Sequence, residues 1–153
     1  MFTRFNKVPD AYADFPDIEG TVTFYGVHGG TVVVVNLRNL PTGNQFHALP
    51  IHAGDSCTGT QEEPFKNADG HYNPTNMPHP NHVGDLPPIL SADGMAFLVF
   101  YTNRFYPEDV VGRTIILHAL PDDFNSQPSG NAGAMIACGE IKEIDHSNPF
   151  HFQ

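Results

Sequence analysis

Thr21-Val-Thr-Phe-Tyr-Gly26 and Thr31-Val-Val-Val-Val-Asn-Leu37 are two runs of β-branched and aromatic residues joined across Val27-His-Gly-Gly30. Such side chains pack well on a pleated surface, and paired glycines supply the permissive backbone of a tight turn, so the segment predicts an antiparallel hairpin. Residues 46–52 predict a third strand. Gly94-Met-Ala-Phe-Leu-Val-Phe-Tyr-Thr102, Arg113-Thr-Ile-Ile-Leu-His118 and Ala134-Met-Ile-Ala-Cys-Gly-Glu-Ile141 predict three more. Helical periodicity is confined to about one turn at Tyr106-Pro-Glu-Asp-Val-Val111. Short strands without intervening helices predict an all-β, antiparallel Greek-key sandwich or barrel. Ala11-Tyr-Ala-Asp-Phe15 is the best candidate for a first strand, but Pro16 follows at once. Residues 1–16 are therefore expected to form a poorly defined, shortened or disordered edge, and residues 17–153 the β domain.

The 153 residues make one domain, large enough to bury a core without staples. A net charge of −10 argues against nucleic acid and against anionic membrane surfaces, which both need clustered Lys and Arg. The seven basic residues leave 114–141 with none. No segment reaches the apolar length of a membrane span. Residues 53–88 show almost no periodicity, and an irregular stretch of that length inside a compact domain needs something to order it.

Asp69-Gly-His-Tyr-Asn-Pro74 and Pro78-His-Pro-Asn-His-Val-Gly-Asp85 supply that something. His71, His79, His82 and Asp85 make three imidazoles and one carboxylate, a set that saturates a tetrahedral zinc ion and leaves no position open for substrate. Pro78 and Pro80 stiffen the loop around His79, lowering the entropy lost when a metal organises it. His28, His146 and His151 lack such company and read as ordinary polar residues.

Gly70-His-Tyr-Asn-Pro74, His82-Val-Gly-Asp85, Gly112-Arg-Thr-Ile-Ile-Leu-His118 with Asp122 and Asp123 just beyond, and Gly130-Asn-Ala-Gly-Ala-Met-Ile-Ala-Cys-Gly139 occur in one order. In that order they resemble the copper/zinc superoxide dismutase family, over residues 20–144. The resemblance implies an eight-stranded barrel, a disulfide between Cys57 and Cys138, and zinc at His71, His79, His82 and Asp85. It implies that Asp122 accepts a hydrogen bond from His79. It also implies copper ligands at His52, at a bridging His71 and at His118, with superoxide as substrate. A disulfide suits an extracytoplasmic or cell-surface compartment, although Met1-Phe-Thr-Arg-Phe-Asn-Lys7 lacks the apolar run of a signal peptide. No feature of the chain specifies a homo-oligomer.

The chain departs from the family pattern in two places, at four positions of one strand (Ala48, Leu49, Pro50 and Ala53) and at Met135. Family members carry H-G-F-H-I-H-E, whose last two histidines share a strand face and both bind copper. Here the stretch is His47-Ala-Leu-Pro-Ile-His-Ala53, so Pro50 stands where one ligand belongs. Pro50 also removes a backbone amide and should distort the ladder. His47 has the opposite parity to Pro50 and His52 and is expected to be structural. Met135 occupies the position of the family's anion-guiding arginine. The expected function is a family protein with an intact zinc site, an impaired copper site and weak or no dismutation. The alternatives are an active dismutase with a three-histidine copper site, its fourth ligand a water, His47 or a partner-chain residue, and a non-enzymatic zinc- and copper-binding module. Nucleophilic hydrolysis has no supporting motif.

Overall fold

The computed structural model describes residues 7–147. Nine strands follow in order: β1 (Ala11–Asp14), β2 (Glu19–Val27), β3 (Gly30–Arg38), β4 (Gln45–His47), β5 (Ile51–His52), β6 (Ile89–Ser91), β7 (Ala96–Thr102), β8 (Thr114–His118) and β9 (Met135–Glu143). A short α-helix, α1 (Pro107–Val110), stands where one turn was expected. Asp109 accepts the Tyr106 backbone amide at its start, at 2.8 Å. Seven strands form one sheet in the order β5-β8-β9-β1-β2-β3-β7, and β4 pairs with β6 separately. Every pairing is antiparallel. Because β6 packs beside β7, and β4 and β5 are two halves of one interrupted strand, the sheet curls round as the eight-stranded all-β Greek key that was expected.

The β2–β3 hairpin turns over His28 and Gly29, with Val27 opposite Gly30. Gly29 has φ of 83°, a left-handed conformation that a side chain would strain. Inward residues of each strand, among them Val22, Phe24, Val33, Val35, Leu37, Ile115 and Leu117, fill one continuous core. Alternation along β3 is clean, as a sheet with one face on a core requires.

Two expectations need correction. The amino-terminal stretch is not an edge at residues 11–14: β1 hydrogen-bonds to β2 on one side and β9 on the other. Its four residues suffice because both ladders are satisfied and the small side chains of Ala11 and Ala13 are wholly buried beneath its neighbours. Residues 1–6 of that expectation lie outside the described residues, as does His151. The strand expected over 46–52 is split. β4 pairs with β6, a short strand the sequence reading missed, whereas β5 pairs with β8. Between them Pro50 cannot donate, but its carbonyl accepts the Ile116 amide at 3.0 Å, and Ala48 exchanges bonds with Leu120 and His118. The ladder survives on its acceptors.

All five residues of β8 are buried, although alternate ones point away from the core. The long loop 53–88 explains this by covering the outer face of β8 and β9, where Ile116, Cys138 and Ala68 form a second small cluster. A disulfide joins Cys57 in the loop to Cys138 in β9. Arg113 fastens the same loop, donating to the Ala53 carbonyl at 2.8 Å and lying 4.2 Å over the Tyr72 ring. The loop carries its metal-ligand candidates on this outer face. Among the described residues no helix is long and apolar enough to cross a membrane.

Candidate metal centre

The outer face of β5 and β8 carries His52 and His118, and the covering loop lays His71 against them through a β-bridge to His52. Two donor groups result, His71 with His79, His82 and Asp85, and His52 with His71 and His118. Within each, the ligand atoms lie within 4.8 Å of one another. His71 belongs to both, as the resemblance implied.

In the three-histidine group the backbone selects the tautomers. His52 Nδ1 donates to the Asp69 carbonyl at 2.5 Å, and His118 Nδ1 to the Gly133 carbonyl at 3.0 Å. Carbonyls only accept, so each Nδ1 carries the hydrogen and each Nε2 presents a lone pair. Those two Nε2 atoms face each other at 3.1 Å. Two nitrogens bound to one ion at about 2.0–2.1 Å stand about 3.3 Å apart at a tetrahedral angle, so the spacing fits a shared cation. Burial, with smaller contributions from neighbouring His71 and His118, pushes the His52 imidazole down to about 3; burial likewise lowers that of His118. Both rings are therefore neutral lone-pair donors at neutral pH.

The four-residue group shows the same signature. His79 Nε2 donates to Asp122 Oδ1 at 2.7 Å, the contact expected of Asp122. This leaves His79 Nδ1 as a bare lone pair 3.1 Å from Asp85 Oδ2, close but out of line for a hydrogen bond. His71 Nε2 is a second buried nitrogen without a hydrogen-bond partner. His71 Nδ1 lies 2.7 Å and His82 Nδ1 3.2 Å from Asp85 Oδ1. Burial works to raise the Asp85 carboxyl, but the His71 ring and the His82 amide outweigh it and hold it below the usual carboxylate range. Nδ1 atoms of His71, His79 and His82 converging on one buried carboxylate fit a tetrahedral divalent ion of borderline softness.

His47 belongs to neither group. It is wholly buried, with Nδ1 2.7 Å from the His118 carbonyl and Nε2 2.5 Å from Thr42 Oγ1, so both nitrogens are already used. Pro50, buried beside β5, adds no donor to the three-histidine group. Met135 lines the same cavity of about 480 Å³ as His52, His71 and His118, and no Lys or Arg lines it.

Several supporting groups escaped the sequence reading. The Asp69 and Gly133 carbonyls that orient the histidines have no residue-type signature. Gln127 brackets His79, accepting its amide at 3.0 Å and donating to its carbonyl at 2.8 Å. The Arg104 guanidinium gathers the carbonyls of Pro80, His82 and Asp85. Both lie far along the chain from the residues they hold. The glycine of His82-Val-Gly-Asp85 has a steric role. Gly84 accepts the Ile51 amide at 2.9 Å and donates to the Tyr72 carbonyl at 2.9 Å, and a Cβ there would run into the Ile51 carbonyl. Gly84→Ala is thus expected to force the loop off β5, destabilising the fold by about 1–3 kcal/mol. It should lower the content of both metals after reconstitution, measured by elemental analysis; unchanged metal content would contradict the close approach.

The family model described as copper/zinc superoxide dismutase (SODC) matches residues 18–141. A Cu-Zn superoxide dismutase of Deinococcus radiodurans is 35% identical over 159 residues, covering 90% of this chain and 86% of that protein. Among solved structures, the Cu/Zn superoxide dismutase from Brucella abortus has a TM-score of 0.69 and 28% identity, covering 88% of this chain and 97% of that one. A SOD-like protein from Bacillus subtilis has a TM-score of 0.71 and 26% identity, covering 84% and 96% respectively.

Proposed function

The chain belongs to the copper/zinc superoxide dismutase family, and on that premise we propose that it holds zinc at an intact structural site but dismutes superoxide weakly or not at all. Zinc is bound by His71, His79, His82 and Asp85, with Asp122 orienting His79. All four positions of a tetrahedral ion are then taken by protein, so this ion orders the loop and does no chemistry. The residual copper site consists of His52, His71 and His118.

The observation that carries the reading is Pro50 at the position of a copper ligand. A pyrrolidine ring has no lone pair to give, and His47, the nearest replacement, has both nitrogens engaged elsewhere. Copper, when bound, would exchange one electron with each of two superoxide ions in turn, giving dioxygen and, with two protons, hydrogen peroxide. The chain's own residues serve that chemistry poorly. The cavity mouth offers Met135 where a guiding cation belongs, and the lining contains no Lys or Arg. With a net charge of −10, the surface repels the anion that a dismutase must attract, and steering worth about 10–10³ in association rate is lost.

Reconstitution with both metals, followed by elemental analysis and direct observation of superoxide decay, tests the proposal. The expected result is one zinc per chain and activity more than about tenfold below that of an intact family enzyme at the same ionic strength. Pro50→His should raise cupric content, and adding Met135→Arg in that background should raise the rate without changing cupric content. Wild-type activity within tenfold of the intact enzyme would refute the proposal; Pro50→His with unchanged copper content would show that Pro50 is not at the ligand position.

A further inference from the structure

His118 and Met135 face one another across the β8–β9 ladder, where the register shifts between Leu117 and His118. Strict alternation would place residues 135 and 138 on opposite faces of a strand. Yet Met135 packs against the cluster of Ile116, Cys138 and Ala68 beneath the loop. The bulge accounts for this by turning Met135 onto the outer face, where His118 already points. There it lines the same cavity as His52, His71 and His118.

We propose that this cavity is a cuprous-ion site whose donors are Nε2 of His52, His71 and His118 together with the thioether Sδ of Met135. The proposal rests on the three-histidine reading above and adds to it the fourth donor and the oxidation state of the metal. Thioether sulfur is soft and selects Cu(I), whereas Cu(II) favours tetragonal nitrogen and oxygen donors. Methionine is unbranched and polarisable, with side-chain torsions enough to bring sulfur to an ion without moving the strand. The donors proposed are neutral imidazoles and a neutral thioether. Between buried donors such as His52 and His118, the desolvation penalty of an ion grows with the square of its charge, so an uncharged donor set favours a monovalent over a divalent ion. The two departures from the family pattern then act together: Pro50 removes a nitrogen suited to Cu(II), and Met135 supplies a sulfur suited to Cu(I). The site holds cuprous ion as cargo and has no need to cycle it.

The test uses the zinc-loaded protein under anaerobic, reducing conditions, titrated with Cu(I) against a chromophoric cuprous chelator, with X-ray absorption at the copper edge. One Cu(I) per chain and a sulfur atom in its first coordination shell are expected. Met135→Leu, nearly the same shape without the sulfur, should lose that scatterer and weaken Cu(I) binding by roughly tenfold to a hundredfold, at least what loss of a ligand's supporting partner produces. Zinc content should stay unchanged. Met77→Leu and Met95→Leu, at exposed positions, should keep the sulfur shell. A nitrogen-only shell in the wild-type protein overturns the proposal, as does sulfur that persists in Met135→Leu or disappears in Met77→Leu or Met95→Leu. His118→Ala separates the two levels. Binding that survives His118→Ala defeats the three-histidine reading itself, whereas binding lost in His118→Ala but untouched in Met135→Leu defeats only the role of the sulfur.

Discussion

Asp85→Ala is expected to empty the four-donor site and loosen the loop 53–88. Its side chain is only 4% exposed and faces His71, His79 and His82. Its Oδ2 also accepts the His82 amide at 2.9 Å, closing the turn that carries two of the four candidate donors. Removing the carboxylate leaves the buried Nδ1 groups of His71 and His82 without their acceptor. Stripping a buried charged acceptor from two hydrogen-bond partners costs about 3–5 kcal/mol for the pair. For a domain of this size that corresponds to a fall in Tm of roughly 10 °C. The loss extends beyond the apoprotein, because metal affinity is also folding free energy. Wild-type protein should therefore gain Tm with added zinc and lose it to a chelator, while the variant should respond to neither. Calorimetry with and without chelator makes the comparison, and a variant that still retains one zinc per chain with an unshifted transition would exclude Asp85 as a ligand. The same loop anchors His71, so the variant should bind copper poorly too, although no three-histidine residue has been altered.

Cys57→Ser, or reduction of the wild-type protein, should have the second large effect. The disulfide spans a sequence separation of 81 residues, and in the chain-entropy model closing a loop of that length restricts the unfolded chain by about 4.5 kcal/mol. The consequence is local as well as global. Cys57 packs against the small cluster of Ile116, Cys138 and Ala68. Ala68 accepts the Gly54 amide at 2.8 Å and is followed by Asp69, whose carbonyl orients His52. Freeing Cys57 should let this arm of the loop open, so hydrogen exchange at residues 53–70 should accelerate more than in β2 or β3, and copper affinity should fall. Uniform acceleration across the whole chain would mean that the disulfide acts only through the unfolded state.

The cheapest parts of the architecture to read were those with short-range causes. The β2–β3 hairpin announces itself through alternating Val residues and a glycine turn, and the turn of helix at Tyr106-Pro-Glu-Asp-Val-Val111 through Pro107 and Asp109. His71, His79, His82 and Asp85 are legible because residue type carries the chemistry, histidine at fixed spacings having few other reasons to cluster, whereas His52 and His118 are picked out only by the family resemblance. Residues 89–91 were overlooked because a three-residue strand has too few positions to display a period. Residues 11–14 read as an edge because Pro16 follows them, and nothing local reveals that β2 and β9 will both be there to satisfy four residues of backbone.

Composition, periodicity and spacing thus pointed to an antiparallel β sandwich or barrel and to the donor group of His71, His79, His82 and Asp85, while the family resemblance implied the three-histidine group, the Cys57–Cys138 pairing and the departures at Pro50 and Met135. Side-chain direction came only from the packed chain. Whether His47 has a free nitrogen depends on Thr42 and on the His118 carbonyl. Whether Met135 shares a face with His118 depends on a bulge between two strands. Which nitrogen of His52 is bare depends on the Asp69 carbonyl. Each is a hydrogen bond or a register between segments distant along the chain, and such partners are chosen by three-dimensional packing rather than by any pattern of neighbouring residues.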